Sequence, residues 1–236
     1  MTSLLYAVIA AAGNVVGAAA ITARPRWAPR TLELLLAFSA GFLVAVALTG
    51  LLPEALARGG VESPLLILLG FLLVHLTQHA LVGHFHFGEE THVVGRDVGD
   101  AALVGLLLHT FVDGVAISSA FHVDSALGVL VFGAIVLHKV PEGLAIASLW
   151  VAAGRSRPAA LGAATALGVA TLLGVALTDW LDPLARWGLA LAAGVTLYVG
   201  ASNLIPEFQG KAGWAHNVVF FIGCGIAVGL RVLIGH

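Results

Sequence analysis

Charged residues are scarce in this chain, since lysine, arginine, aspartate and glutamate together make up 10% of its 236 residues. A soluble domain carries about 25% charged residues, so the few present here could not cover a soluble surface. Hydrophobic residues make up 59% of the sequence, which excludes a disordered chain. The net charge of -2 and the lack of a sustained basic run exclude a nucleic-acid partner. The composition is that of a polytopic membrane protein embedded in a lipid bilayer.

Cysteine is almost absent, and Cys224 alone cannot form a disulfide framework. The chain also lacks the His-Glu-x-x-His signature of intramembrane metalloproteases and the Gly-x-Ser-x-Gly signature of serine-type ones. These absences count against hydrolysis of peptides within the membrane.

Long apolar segments, by contrast, fill the sequence. A membrane-spanning helix needs about 20 mostly apolar residues. Eight segments meet this condition, namely 2–21, 31–57, 64–82, 98–121, 126–151, 158–178, 184–208 and 213–234. They use most of the chain, so we expect residues 1–236 to form a single all-α transmembrane domain of eight helices.

The basic residues predict the orientation of these spans, because cytoplasmic loops carry an excess of lysine and arginine. If the N-terminus lies outside, seven basic residues fall in cytoplasmic loops and three in outer ones. The cytoplasmic set is Arg24, Arg26, Arg30, Arg96, Arg155, Arg157 and Lys211, and the outer set is Arg58, Arg186 and Arg231. We therefore expect a multi-pass protein of the cell membrane with both termini outside.

Only three charged residues, Asp113, Lys139 and Glu142, lie near the middle of a span. Each such charge costs roughly 2.5–3.5 kcal/mol on insertion scales, so all three must be paired, hydrated or bound to metal. A charged group at this depth in the membrane is therefore taken to serve the function of the protein.

Two similar motifs surround these charges. The fourth span contains HTFVDG, with His109 four residues before Asp113, and the fifth contains HKVPEG, with His138 four residues before Glu142. Residues four apart share a helix face, so the two pairs can meet near the midplane of the membrane. Two imidazoles and two carboxylates suit Zn²⁺, Fe²⁺, Mn²⁺ or Co²⁺. The alternative is that hydrogen-bonded polar pairs merely hold the helices together.

Pro141 lies between the two ligands of the fifth span. Proline removes a backbone donor and clashes with the carbonyl one turn earlier, here that of Leu137. We expect a freed carbonyl beside the histidine and the glutamate. Transporters place ion sites at such interrupted helices.

The second and seventh spans end in similar stretches, AGFLVAVALTGLLPE over 40–54 and AGVTLYVGASNLIPE over 193–207. An even-numbered and an odd-numbered span cross the membrane in opposite directions. Such an inverted repeat is typical of secondary transporters. Glu54 would lie at the outer mouth and Glu207 at the inner mouth, although solvated span ends explain both equally well.

With these motifs, the sequence resembles the ZIP family of divalent metal transporters, the zinc- and iron-regulated type. The resemblance rests on HTFVDG, HKVPEG and the LLPEA and LIPEF endings of spans two and seven. It implies transport of Zn²⁺ or a related cation toward the cytosol, as substrate and without a cofactor. It also implies a 3+2+3 arrangement of spans, an elevator-like movement of one helix bundle against another, and a homodimer.

The sequence departs from the family at a second metal position beside the first. Family members often build this position from an asparagine, an acidic residue and a glutamate, where this chain has Thr110, Lys139 and Thr171. The resemblance and the charge balance together predict a mononuclear site, His109/Asp113/His138/Glu142, in which the Lys139 ammonium occupies or neutralises the second position. The alternative for Lys139 is a side chain that extends toward the membrane surface.

The connection between spans three and four contains His84, His86 and His92, and the family often has a histidine-rich loop there. These residues would bind metal transiently after transport, or would simply form a solvated polar loop.

The function expected from the sequence is thus transport of divalent transition-metal cations, Zn²⁺ first and also Fe²⁺, Mn²⁺, Co²⁺ or Cd²⁺. A membrane-embedded, metal-dependent hydrolase using the same cluster is the main alternative. A haem-binding electron carrier is disfavoured by the two carboxylates, and a proton-coupled exchanger could use the same acids.

Overall fold

A computed structural model describes residues 2–23, 29–77, 96–206, 208–210 and 212–234. The described residues form helices and no strands. These are α1 (Thr2–Ala23), α2 (Pro29–Val46), α3 (Leu52–Arg58), α4 (Ser63–Leu76), α5 (Arg96–Val123), α6 (Ser125–Ala152), α7 (Arg157–Trp180), α8 (Asp182–Tyr198) and α9 (Ala215–Ile234). The all-α polytopic fold expected from the sequence is confirmed.

Seven helical segments in the described ranges are long and apolar enough to cross a membrane. The described part of the expected third span, 64–82, is α4, a shorter apolar helix, and residues 78–82 lie outside the described residues. The other seven expected spans coincide with these seven segments to within a few residues at each end.

The helices pack as two groups. One group contains α1, α5, α6 and α7, and the other pairs α2 with α9 and α4 with α8. The groups meet mainly where α5 packs on α8 and α2 packs on α6. The 3+2+3 arrangement implied by the family resemblance stays a prediction.

The two copies of the sequence repeat share a local structure. A π-helical segment, Ala47–Leu51, links α2 to α3, and a second one, Val199–Leu204, follows α8. In each copy the residue before the proline bonds a carbonyl five residues back, Leu52 N–H to Ala47 O and Ile205 N–H to Gly200 O. The first segment packs on α8 and the second on α2, so each copy contacts the other reciprocally. Such π-bulges often mark functional sites.

The turn between α5 and α6 fixes their relative placement. Asp124 is the single residue between the two helices, and its carboxylate accepts a 2.8 Å hydrogen bond from the Leu127 N–H. This N-cap starts α6 directly after α5 ends, so the two motif-bearing helices are antiparallel neighbours.

Candidate metal centre

The two motifs supply one buried cluster. His109 and Asp113 come from α5, and His138 and Glu142 come from α6. All four side chains are buried, and one ligand atom from each lies within 4.8 Å of those from the other three. The structure thus brings together the four residues that the sequence spacing singled out. Nitrogen and oxygen atoms at such spacing can close around a single transition-metal ion.

The His138 ring is oriented by its own helix. Its Nδ1 lies 3.0 Å from the Ala134 carbonyl oxygen, which only accepts hydrogen bonds, so Nδ1 carries a proton. The Nε2 atom therefore faces the cluster, 3.3 Å from Asp113 Oδ2. A carbonyl that holds the non-ligating nitrogen is the usual support of a metal-binding histidine.

Two further polar atoms of the cluster have no hydrogen-bond partner in the described part of the chain. They are Glu142 Oε1 and His109 Nδ1, and both are buried. Buried polar atoms are nearly always bonded, so each unpaired one needs an explanation. The free Glu142 oxygen is available as a metal ligand, because the other oxygen of that carboxylate is already bonded.

That other bond comes from Lys139, whose side chain is fully buried. The ammonium Nζ donates to Asp113 Oδ2 at 2.7 Å and to Glu142 Oε2 at 2.9 Å. Lys139 therefore points into the cluster and does not extend toward the membrane surface. One fixed positive charge lies between the two carboxylates and balances part of their charge.

The glycines that follow the two carboxylates permit close helix packing. A Cβ atom added at Gly114 would lie 2.0 Å from the Thr171 carbonyl oxygen of α7. One added at Gly143 would lie 2.0 Å from the Asn14 carbonyl oxygen of α1. The glycine of each motif thus lets a neighbouring backbone approach the ligand-bearing turn, as small residues do between membrane helices.

The carbonyl freed by Pro141 has a partner in the other helix group. The hydroxyl of Ser39, a fully buried residue of α2, lies 2.8 Å from Leu35 O of its own helix and 3.2 Å from Leu137 O, so its single proton is shared and Leu137 O accepts the longer branch. The α6 helix continues through the proline without interruption. Neighbouring serine hydroxyls commonly satisfy such carbonyls in membrane helices. Ser39 was not identified from the sequence, because the contact joins residues 98 positions apart.

A small, partly open cavity reaches the cluster. Its lining includes His109, His138 and Glu142, together with Asn203 from the second π-helical segment. Leu36 and Leu106 line it as well, so it lies toward the face at which α2 and α5 begin. Asn203 was not identified from the sequence, although this polar residue lies in an otherwise apolar stretch of the repeat.

The residues at the expected second metal position offer no carboxylate. Thr110 and Thr171 are fully buried, and their hydroxyls donate to carbonyls of their own helices, those of Leu107 and Leu167. The third residue of the second metal position is Lys139, which contributes an ammonium group. The chemistry of the second position is therefore that of two hydroxyls and an ammonium.

The remaining candidates from the sequence lie apart from the cluster. Glu54 is partly exposed and forms an ion pair with Arg58 one turn later, as a solvated span end would. Four others, Glu207, His84, His86 and His92, lie outside the described residues. A partly buried pair that the sequence did not suggest, His216 Nε2 with Glu33 Oε2 at 3.2 Å, joins α9 to α2.

The fold and the cluster define a class of protein: a polytopic membrane protein with a buried His/carboxylate cluster between two helices. The sequence profile of the ZIP zinc transporter family matches residues 84–231, which is more than half of the chain. The chain therefore belongs to the ZIP family of metal transporters. Members of this family are transporters and not enzymes, and the metal is a transported substrate and not a cofactor.

Curated relatives agree with this assignment. The zinc transporter YKE4 of Saccharomyces cerevisiae is 21% identical over 243 residues, which cover 83% of this chain and 70% of that protein. The zinc transporter ZIP9 of Micropogonias undulatus is 26% identical, covering 61% of this chain and 51% of that protein. The zinc transporter ZIP9-A of Xenopus laevis is 28% identical, covering 64% and 54%. The chain spans about half the length of the two ZIP9 proteins.

Proposed function

We propose that this protein moves divalent transition-metal cations across the membrane through the cluster of His109, Asp113, His138 and Glu142. The observation that carries the proposal is that four ligand atoms from two helices lie within 4.8 Å of one another in a buried site. Secondary transporters place their ion sites near the bilayer midplane, where ionisable residues are otherwise too costly to retain.

Zn²⁺ is the foremost substrate in this proposal, with Fe²⁺, Mn²⁺, Co²⁺ and Cd²⁺ as further ones. The names of the relatives favour zinc. A mixed set of imidazole and carboxylate ligands suits several divalent ions, and selectivity among them depends on geometry and availability.

The site holds one ion at a time. Two carboxylates and the Lys139 ammonium carry a net charge of about −1, which one divalent ion converts to +1. A second divalent ion would lie beside the first ion and the ammonium in a medium of low dielectric, where like charges repel strongly. Thr110 and Thr171 add no negative charge to offset that repulsion.

The direction of transport is toward the cytoplasm. The cavity lies toward the face at which α2 and α5 begin. The excess of basic residues in the loops of that face supports a cytoplasmic location, with both termini outside the cell membrane.

The grouping of the helices supports a movement of one group against the other. The cluster lies in the group of α1, α5, α6 and α7, and the cavity is closed by residues of α2 and the second π-helical segment from the other group. Elevator-like displacement of the first group would carry the ion across. Assembly as a homodimer, with residues 1–236 as one transmembrane domain per chain, is proposed on the family resemblance.

Uptake of ⁶⁵Zn²⁺ into proteoliposomes tests this proposal. We expect wild-type protein to accumulate zinc and His138→Ala to lose that uptake, because the ligand nitrogen is removed. His216→Ala is the matched control, since it also removes a buried membrane histidine but lies outside the cluster. Zinc uptake that survives in His138→Ala at the wild-type rate would overturn the site assignment.

A further inference from the structure

A second group of metal-ligating side chains lies at the opposite end of α5 and α7 from the cavity. His122 is in the last turn of α5, and Asp179 is in the last turn of α7. His122 Nε2 and Asp179 Oδ1 are 3.8 Å apart, and the Ser118 hydroxyl donates to that same oxygen at 2.5 Å. The three side chains form one polar group, in which His122 and Asp179 are here called the outer pair.

The 3.8 Å distance is too long for a hydrogen bond between the imidazole and the carboxylate. It is close to the roughly 3.4 Å that separates two ligand atoms bound to one tetrahedral zinc ion at about 2.1 Å. The side chains are 48% and 36% exposed, so an ion and its remaining waters can reach both atoms. The fully buried Ser118 fixes the carboxylate in place.

The surroundings of the pair favour a cation. Both residues lie at helix C-termini, where the helix dipoles place partial negative charge, but α6 and α8 begin three residues later with partial positive charge, so the dipoles add little net potential. The carboxylate of Asp124, which directly follows α5, adds to the negative potential. In the described ranges, no lysine or arginine forms an ion pair with Asp179, so its charge is not neutralised there.

We propose that His122 and Asp179 form a peripheral binding site for a divalent transition-metal cation at the outer face, which supplies ions to the transport cluster. Two protein ligands bind such an ion weakly, and this suits a site from which ions must move on. The same helix, α5, carries both the outer histidine and the inner His109 and Asp113. The inference rests on the proposed function for its role, and on the geometry of the pair for the binding itself.

Zinc concentration dependence of initial uptake separates this site from the cluster. In proteoliposomes, Asp179→Asn and His122→Gln are expected to raise KM for Zn²⁺ about fivefold, the effect of losing one modest interaction. The maximal rate should stay near that of wild type, because the transport cluster is intact. Glu62→Gln is the matched control, as it removes an exposed acidic residue from the same face. Its KM should stay within about twofold of the wild-type value, since the loss of one screened surface charge has a small effect.

A direct binding measurement keeps the inference independent of transport. Equilibrium dialysis of the full chain in nanodiscs with Zn²⁺ alone should show a weak site in wild type and Glu62→Gln that is absent from Asp179→Asn and His122→Gln. If both outer variants bind and transport zinc as Glu62→Gln does, the inference is wrong. If wild type shows no zinc flux but the weak site is lost in both outer variants, the proposed function fails while the site stands.

Discussion

The ammonium of Lys139 lies 2.7 Å from Asp113 Oδ2, the carboxylate oxygen that both histidines of the cluster also face. An ion that binds this oxygen must share it with a positive charge held on the neighbouring helix. Lys139 is thus both a neutralising partner of the two acids and an internal competitor of the transported ion.

Replacing Lys139 by methionine should make stability depend on metal. Removal of one partner from a buried ion pair leaves uncompensated carboxylates and costs about 3–5 kcal/mol. We expect Lys139→Met to melt at lower temperature in EDTA than wild type, and to gain more from added Zn²⁺. Thermal unfolding in detergent with and without zinc measures both effects. Lys139→Arg, which keeps the charge, is the control, and an equal zinc response in all three proteins would contradict this role.

Replacing Lys139 by glutamate should change the number of ions bound. Three buried carboxylates can balance a second divalent ion, whereas the ammonium opposes it. We expect tightly bound zinc to rise from one to two per chain in Lys139→Glu, as counted by mass spectrometry of metal content after desalting. A value of two in wild type would show that the mononuclear assignment is incorrect.

Ser39 and Pro141 should be energetically coupled. Ser39→Ala removes the hydroxyl whose proton is shared between Leu35 O at 2.8 Å and Leu137 O at 3.2 Å, and losing the longer branch costs about 0.5–1.5 kcal/mol at the Leu137 carbonyl. In Pro141→Ala, the restored N–H at position 141 bonds that carbonyl, so the same Ser39→Ala change should cost little. Unfolding free energies of the two single variants and the double variant measure the coupling. Strictly additive losses would show that the Ser39 hydroxyl does not serve this carbonyl.

Close packing at Gly143 should be essential to the cluster. A methyl group there would meet the Asn14 backbone, and overpacking of this kind costs about 1–3 kcal/mol or more. Gly143→Ala should lower the melting temperature and reduce zinc uptake by displacing the Glu142 turn. Gly162→Ala in α7 is the matched control, because among the described residues no side chain and no backbone of another helix lies within 4 Å of its added methyl group. That change should be neutral or stabilise by about 0.5–1 kcal/mol. Equal behaviour of the two variants would contradict the packing argument.

The cluster could be predicted from the sequence because the two ligands on each helix lie close together along the chain. Spacings of four residues place His109 with Asp113 and His138 with Glu142 on helix faces, and the scarcity of charge draws attention to them. The eight apolar segments likewise follow from composition along the chain. The membrane class and the ligand set therefore needed no knowledge of how the helices pack.

The direction of Lys139 was predicted from the charge balance and the family resemblance, with an alternative left open. A lysine next to a ligand can extend to the membrane surface or turn into the site, and only the packing of α5 on α6 decides between them. The same holds for the Ser39 bond to Leu137 and for the pairing of His122 with Asp179, since each joins residues distant in the sequence. The π-helical segments escaped notice because a proline predicts an interruption without specifying its form.

We propose above that one divalent ion binds among His109, Asp113, His138 and Glu142. Anomalous diffraction at the zinc absorption edge, from crystals of the protein grown with Zn²⁺, tests it most directly. We expect one strong peak within about 2.0–2.3 Å of His138 Nε2 and of carboxylate oxygens from both Asp113 and Glu142. Two adjacent peaks of equal strength, or no peak at the cluster while zinc is bound elsewhere, would contradict it.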